Sequence, residues 1–124
     1  GRKVTAVELD PAAARSAENT VRLNNLSSMK VVHGDCAEAL PRLVTERSVV
    51  ILDPPRAGSD ERFLSAVTTV APERVVYVSC NPETLARDLG YLTRHGYRVE
   101  RIQPVDMFPH TEHIECVVRL TRSK

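Results

Sequence analysis

Apolar and polar positions alternate between two periods along this chain, and the alternation predicts strand, helix, strand, helix, repeated. Lys3–Leu9 is apolar and β-branched and reads as a strand, ending in Glu8-Leu9-Asp10-Pro11, where Pro11 suits a first helical turn. Ala12–Asn24 is Ala-rich and helical in pattern, with Asn24-Asn25 as its stop. Lys30–His33 is a short strand closed by Gly34-Asp35, and Cys36–Leu43 a short helix. Val49–Leu52 reads as a buried strand, Glu61–Val70 as a helix, Val75–Ser79 as a second buried strand and Pro82–His95 as another helix. Tyr97–Pro104 and Ile114–Leu120 close the chain as an antiparallel pair. Strands alternating with helices predict an α/β fold with a mostly parallel, doubly wound sheet. No repeat, low-complexity tract or internal linker interrupts the pattern.

Composition narrows the classes. A chain of 124 residues, 42% of them apolar, supports one domain with a real core. No apolar run approaches the length of a membrane span. The opening Gly1-Arg2-Lys3-Val4 runs straight into a strand, so no signal peptide is expected. Cys36, Cys80 and Cys116 make an odd count with no C-x-x-C pair, which argues for a reducing, cytoplasmic setting rather than disulfides or a zinc ribbon. With 17 basic and 16 acidic residues, the net charge is only +1. A stand-alone nucleic-acid binder normally carries more, so any grip on RNA lies partly outside this chain.

Several polar residues fall where strands end, which is where ligands sit in open α/β sheets. Glu8 ends the first strand and could hold two ribose hydroxyls; a solvated acid favoured at a helix N-terminus explains it as well. Asp35 follows the second strand and could meet an adenine amino group, or simply cap the next helix. Asp53-Pro54-Pro55-Arg56-Ala57-Gly58 follows the third strand, and its two prolines stiffen the turn so that Asp53 and Arg56 are held in place. Cys80 follows the fourth, with Asn81 as an N-cap and Pro82 at the first helical position. A helix N-terminus there favours thiolate. Cys36 and Cys116 better fit an inert, buried cysteine, neither showing this capped strand-to-helix setting. Arg87 lies too far beyond Cys80 to close a phosphatase cradle. Glu115 interrupts the apolar run Ile114–Val118 and shares a face with Val117 and Arg119, either at an exposed edge or held as a base with a raised pKa. His110 and His113 alone are weak grounds for a metal, and none is expected.

Two stretches carry a resemblance. Asp53-Pro54-Pro55-Arg56-Ala57-Gly58 leading to Val75-Val76-Tyr77-Val78-Ser79-Cys80-Asn81 with Thr84, and Asp106-x-Phe108-Pro109-His110-Thr111-x-His113-Ile114-Glu115, resemble in order and spacing the signatures of the RNA uracil-C5 methyltransferases. The resemblance implies a Rossmann-like fold that uses S-adenosyl-L-methionine to methylate uridine in tRNA or rRNA. It implies that Cys80 adds to C6 of the uracil and that Glu115 takes the C5 proton. It further implies that Glu8, Asp35 and Asp53 bind the cofactor and that Arg56 and Phe108 help hold an extruded base. Family members begin with a further strand and a Gly-rich loop ahead of Glu8, which this chain lacks. It is therefore expected to be the C-terminal part of a catalytic domain, weak in cofactor binding and turnover alone. Either Lys3–Leu9 and Val49–Leu52 pair directly, or a second chain fills the gap as a homodimer. The competing reading is a catalytically silent cofactor- or nucleotide-binding module, which would need neither Cys80 nor Glu115. An amino-group methyltransferase fits less well, having no use for a cysteine adduct.

Overall fold

The computed structural model describes residues 2–105 and 115–123. The elements run β1 (Val4–Glu8), α1 (Pro11–Leu23), β2 (Met29–His33), α2 (Cys36–Leu43), β3 (Val49–Leu52), α3 (Glu61–Val70), β4 (Arg74–Ser79), α4 (Pro82–Arg94), β5 (Tyr97–Val105) and β6 (Glu115–Arg122). Each lies within a residue or two of its expected bounds. The punctuation works as the sequence implies. Pro11 and Pro82 occupy first-turn positions where no N–H is required. Asn24 closes α1, and Asn25 takes the left-handed φ of 53°.

The chain packs as two compact units, Gly1–Leu43 and Val44–Lys124. In the first, β1 and β2 form a parallel pair, registered from Val4↔Met29 to Glu8↔His33, joined through α1. Its buried side chains are Ala14, Ala39 and Leu40.

The second unit carries the larger core. Its sheet has the order β3-β4-β6-β5. β3 and β4 are parallel, while β6 enters antiparallel between β4 and β5. The expected closing pair is therefore present, with a bulge between Val99 and Arg101. Val75 and Tyr77 on β4 point to the same face as Val118 and Leu120 on β6, and α3 and α4 contribute Leu64, Val67, Leu85 and Leu92. Burying each such aliphatic side chain is worth about 1.5–3 kcal/mol.

Two expectations need correction. Val49–Leu52 is not a buried strand: Val49 is 45% and Ile51 71% exposed, and only Leu52 is buried. An edge strand with one neighbour has little to bury it, and four apolar residues in a row do not reveal that. Nor do Lys3–Leu9 and Val49–Leu52 pair directly. Among the described residues, β1 pairs with β2 and β3 with β4, each strand keeping the partner its own crossover helix delivers.

Candidate active site

In the second unit, three of the singled-out residues come to one edge of the sheet. Asp53 follows the C-terminal end of β3, Cys80 follows that of the adjacent parallel β4, and Glu115 opens the antiparallel β6. The β4–β6 register runs from Arg74↔Thr121 to Ser79↔Cys116. Cys80 and Glu115 flank that last pair, just past the C-terminal end of β4 and at the start of β6. Cys80 and Glu115 are both half-buried, so each keeps access to solvent.

The turn beyond β4 is built tightly. Ser79 is buried; its Oγ donates to Asn81 O and accepts from Asn81 N, both at 3.0 Å. Asn81 caps α4, its Oδ1 accepting from Glu83 N at 3.0 Å. Its other side-chain atom, Nδ2, donates to Arg56 O at 3.0 Å, and Thr84 Oγ1 donates to the same carbonyl at 3.0 Å. The helix that follows Cys80 therefore grips the loop that carries Asp53 and Arg56, whose own side chains lie at the surface.

A buried network missed in the sequence completes that grip. Asp88, 1% exposed, accepts from Ser59 N at 2.8 Å, from Tyr77 Oη at 2.5 Å and from Arg87 Nε at 3.1 Å. Arg87 Nη2 also donates to Ala57 O at 2.9 Å and Ser59 O at 3.2 Å. Burial first, and then the hydrogen bond to Asp88, push the Tyr77 phenol far above its ordinary range. Gly58 has φ 81°, and a Cβ there would lie 2.6 Å from Arg87 Nη2 and 2.9 Å from Asp88 Oδ2. The signal for Asp88 was present, since it falls in the buried stripe Leu85, Asp88, Leu92 of α4.

In the first unit, Glu8 ends β1 and Asp35 lies two residues past the end of the adjacent parallel β2, and Gly34 N donates to Glu8 O at 2.9 Å. Glu8 Oε1 accepts from Asp10 N at 3.1 Å. Asp35 Oδ1 accepts from Ala37 N at 2.8 Å, so Asp35 does cap α2. Cys36 is then the first residue of a capped helix after a strand, contrary to the expectation that only Cys80 has this setting. Its thiol is nevertheless pushed up, by burial first and then by the charges of Asp35 and Glu8. Both carboxylates thus stand close to one sulfur. Phe108, His110 and His113 lie outside the described residues. Among the described residues, no group of His, Cys, Asp and Glu is arranged to hold a metal ion. No described helix is long and apolar enough to cross a membrane.

The chain is similar to known proteins in both sequence and fold. The sequence model of the family described as tRNA (Uracil-5-)-methyltransferase matches residues 44–123. A Bacillus cereus protein described as an uncharacterized RNA methyltransferase is 44% identical over 124 residues, covering 98% of this chain and 27% of its own length. The crystal structure of Pyrococcus abyssi tRNA (uracil-54, C5)-methyltransferase in complex with S-adenosyl-L-homocysteine superposes with a TM-score of 0.83 at 36% identity, over 98% of this chain and 29% of that one. Precorrin-6y C5,15-methyltransferase from Geobacter metallireducens shares the fold alone, with a TM-score of 0.75 at 18% identity over 98% of this chain and 67% of that one. The chain thus spans about 27% of the length of the curated relatives it matches.

Proposed function

Because the chain belongs to the tRNA (uracil-5-)-methyltransferase family, we propose that it forms the C-terminal part of a catalytic domain that methylates uridine C5 in tRNA or rRNA, with Cys80 as nucleophile and Glu115 as base. The observation that supports this reading is the β4–β6 register, whose last pair, Ser79↔Cys116, leaves Cys80 and Glu115 as neighbours at the same end of the two strands.

Uracil C5 is too weak a nucleophile to take a methyl group unaided. Cys80, as thiolate, forms an S–C6 bond and drives the C5=C6 electrons into an enolate spanning C5 and the C4 carbonyl. Bound S-adenosyl-L-methionine supplies the electrophilic methyl and leaves as S-adenosyl-L-homocysteine. Glu115 then removes the C5 proton. The released electron pair re-forms the C5=C6 bond and expels the Cys80 thiolate, leaving 5-methyluridine and a protonated Glu115.

The first unit's residues suit that cofactor. Ionised carboxylates only accept hydrogen bonds, which matches Glu8 to ribose hydroxyls and Asp35 to an adenine amino group. Asp53 would meet the methionine end, while Arg56 and Phe108 would hold the target base after its extrusion from the RNA. With a net charge of only +1, part of the RNA grip would come from the rest of the protein. β1 and β3 each keep one edge without a strand partner among the described residues. A further strand, from the rest of the protein or from a second copy, belongs at such edges. The isolated 124-residue chain should accordingly bind cofactor weakly and turn over little; micromolar binding in a calorimetric titration would contradict this.

The test uses the full-length protein, S-adenosyl-L-methionine and RNA tritiated at uridine C5. Tritium release should accompany methylation and vanish in Cys80→Ala. Glu115→Gln should accumulate a methylated, covalently bound RNA, because C5 deprotonation is what frees Cys80. Methylation that survives Cys80→Ala overturns the mechanism. Binding of cofactor with no reaction on any RNA uridine supports a silent binding module.

A further inference from the structure

The mechanism gives no task to the most deeply buried charge among the described residues of the second unit. Asp88 sits in the apolar stripe of α4 between Leu85 and Leu92, where a carboxylate is costly unless every lone pair is used. It is used in three directions: toward Tyr77 on β4, toward Arg87 on its own helix, and toward the backbone of Ser59 in the loop after β3. Tyr77 lies three residues before Cys80 on the same strand, and α4 begins two residues after it. One carboxylate therefore ties the strand that delivers the thiol, the helix that leaves it and the loop that holds Asp53 and Arg56. Along α4, residues 81, 84, 87 and 88 follow helical spacing, and each donates to or accepts from the backbone of Arg56, Ala57 or Ser59.

We propose that Asp88 and Arg87 are positioning residues for the methyl-transfer reaction, clamping the Asp53–Ser59 loop in fixed register with Cys80; this rests on the reading of Cys80 as nucleophile. Their hydrogen bonds run to the loop after β3 and to the strand that precedes Cys80, so they act by holding the groups that meet the uracil. Gly58 is the complementary half of the clamp, because the loop can lie against Arg87 and Asp88 only where no Cβ intervenes.

The experiment follows covalent trapping of RNA carrying 5-fluorouridine by the full-length protein at saturating RNA and cofactor. Asp88→Asn keeps the shape but offers one acceptor oxygen where Ser59, Tyr77 and Arg87 need two. Arg87→Lys keeps the charge, loses the forked contact to Ala57 and Ser59, and lies at an exposed position that should not compromise folding. Both variants should form the adduct about ten- to a hundred-fold more slowly, as expected when reacting groups are misplaced by a fraction of an ångström. Affinity for RNA and for S-adenosyl-L-homocysteine should stay unchanged. Folded variants that trap RNA at the wild-type rate, or whose loss lies wholly in ligand affinity, overturn the proposal. If Asp88→Asn fails to fold, the Arg87→Lys rate decides. Failure of the underlying reading looks different: the wild-type protein forms no adduct, or Cys80→Ser still forms one.

Discussion

Two turns in this protein are built nearly alike but differ in the charge that surrounds their cysteines. His33-Gly34-Asp35-Cys36 and Ser79-Cys80-Asn81-Pro82 each lead from the end of a parallel strand into a capped helix, and each places a cysteine at that helix's positive end. At the first turn the cap is a carboxylate, Glu8 stands close by, and Cys36 Sγ lies 3.8 Å from Val7 O. Burial and those two charges hold Cys36 as a thiol. At the second turn the cap is a neutral amide, which spends its other arm on Arg56 O. The helix dipole is common to both, so what sets the first turn apart is the burial and negative charge around Cys36.

The comparison can be broken most forcefully at the sulfurs. Cys80→Ser should reduce covalent trapping of 5-fluorouridine RNA below detection, whereas Cys36→Ser should leave it intact; equal losses would erase the distinction. Next come the glycines of the loops. Gly58→Ala should destabilise by about 1–3 kcal/mol in denaturant titration, since its φ is 81° and its Cβ would meet Arg87 and Asp88. Gly34→Ala meets nothing within 4 Å and should cost no more than about 0.5 kcal/mol. The caps follow. Asn81→Ala should cost about 1 kcal/mol, and Asp35→Asn should lower the Cys36 pKa and speed its alkylation by iodoacetamide near neutral pH. The smallest effect is alkaline. Burial pushes Tyr97 from 10.0 up to about 12, so its folded form holds the proton that the unfolded chain releases first. Its contribution is present below pH 10.0 and lost as pH rises towards about 12. Thermal melts across that window should show falling stability, with a shallower fall in Tyr97→Phe.

Much of this was legible because local chemistry fixes it. Prolines at first-turn positions, asparagine stops and β-branched runs set element bounds with little help from the rest of the chain. The motif residues after β3 and β4 announced the site. What the sequence concealed depends on partners far along the chain. Nothing local says that β3 lies at an edge, or that β6 inserts between β4 and β5 and so brings Glu115 to the same strand end as Cys80. The position of Asp88 in the apolar stripe of α4 is legible, but not that Ser59 and Tyr77, 29 and 11 residues away, donate to it. Cys36 has a capped turn as well, contrary to expectation; its thiol is pushed up by burial first and then by the charges of Asp35 and of Glu8 on the neighbouring strand.

The central claim is that one particular sulfur attacks the pyrimidine. Digesting the trapped complex of full-length protein with 5-fluorouridine RNA, and locating the nucleotide by peptide mass spectrometry, tests it most directly. The fluorinated, methylated uridine should be found on the peptide containing Cys80. Its attachment to Cys36, to Cys116 or to no cysteine at all would contradict the account.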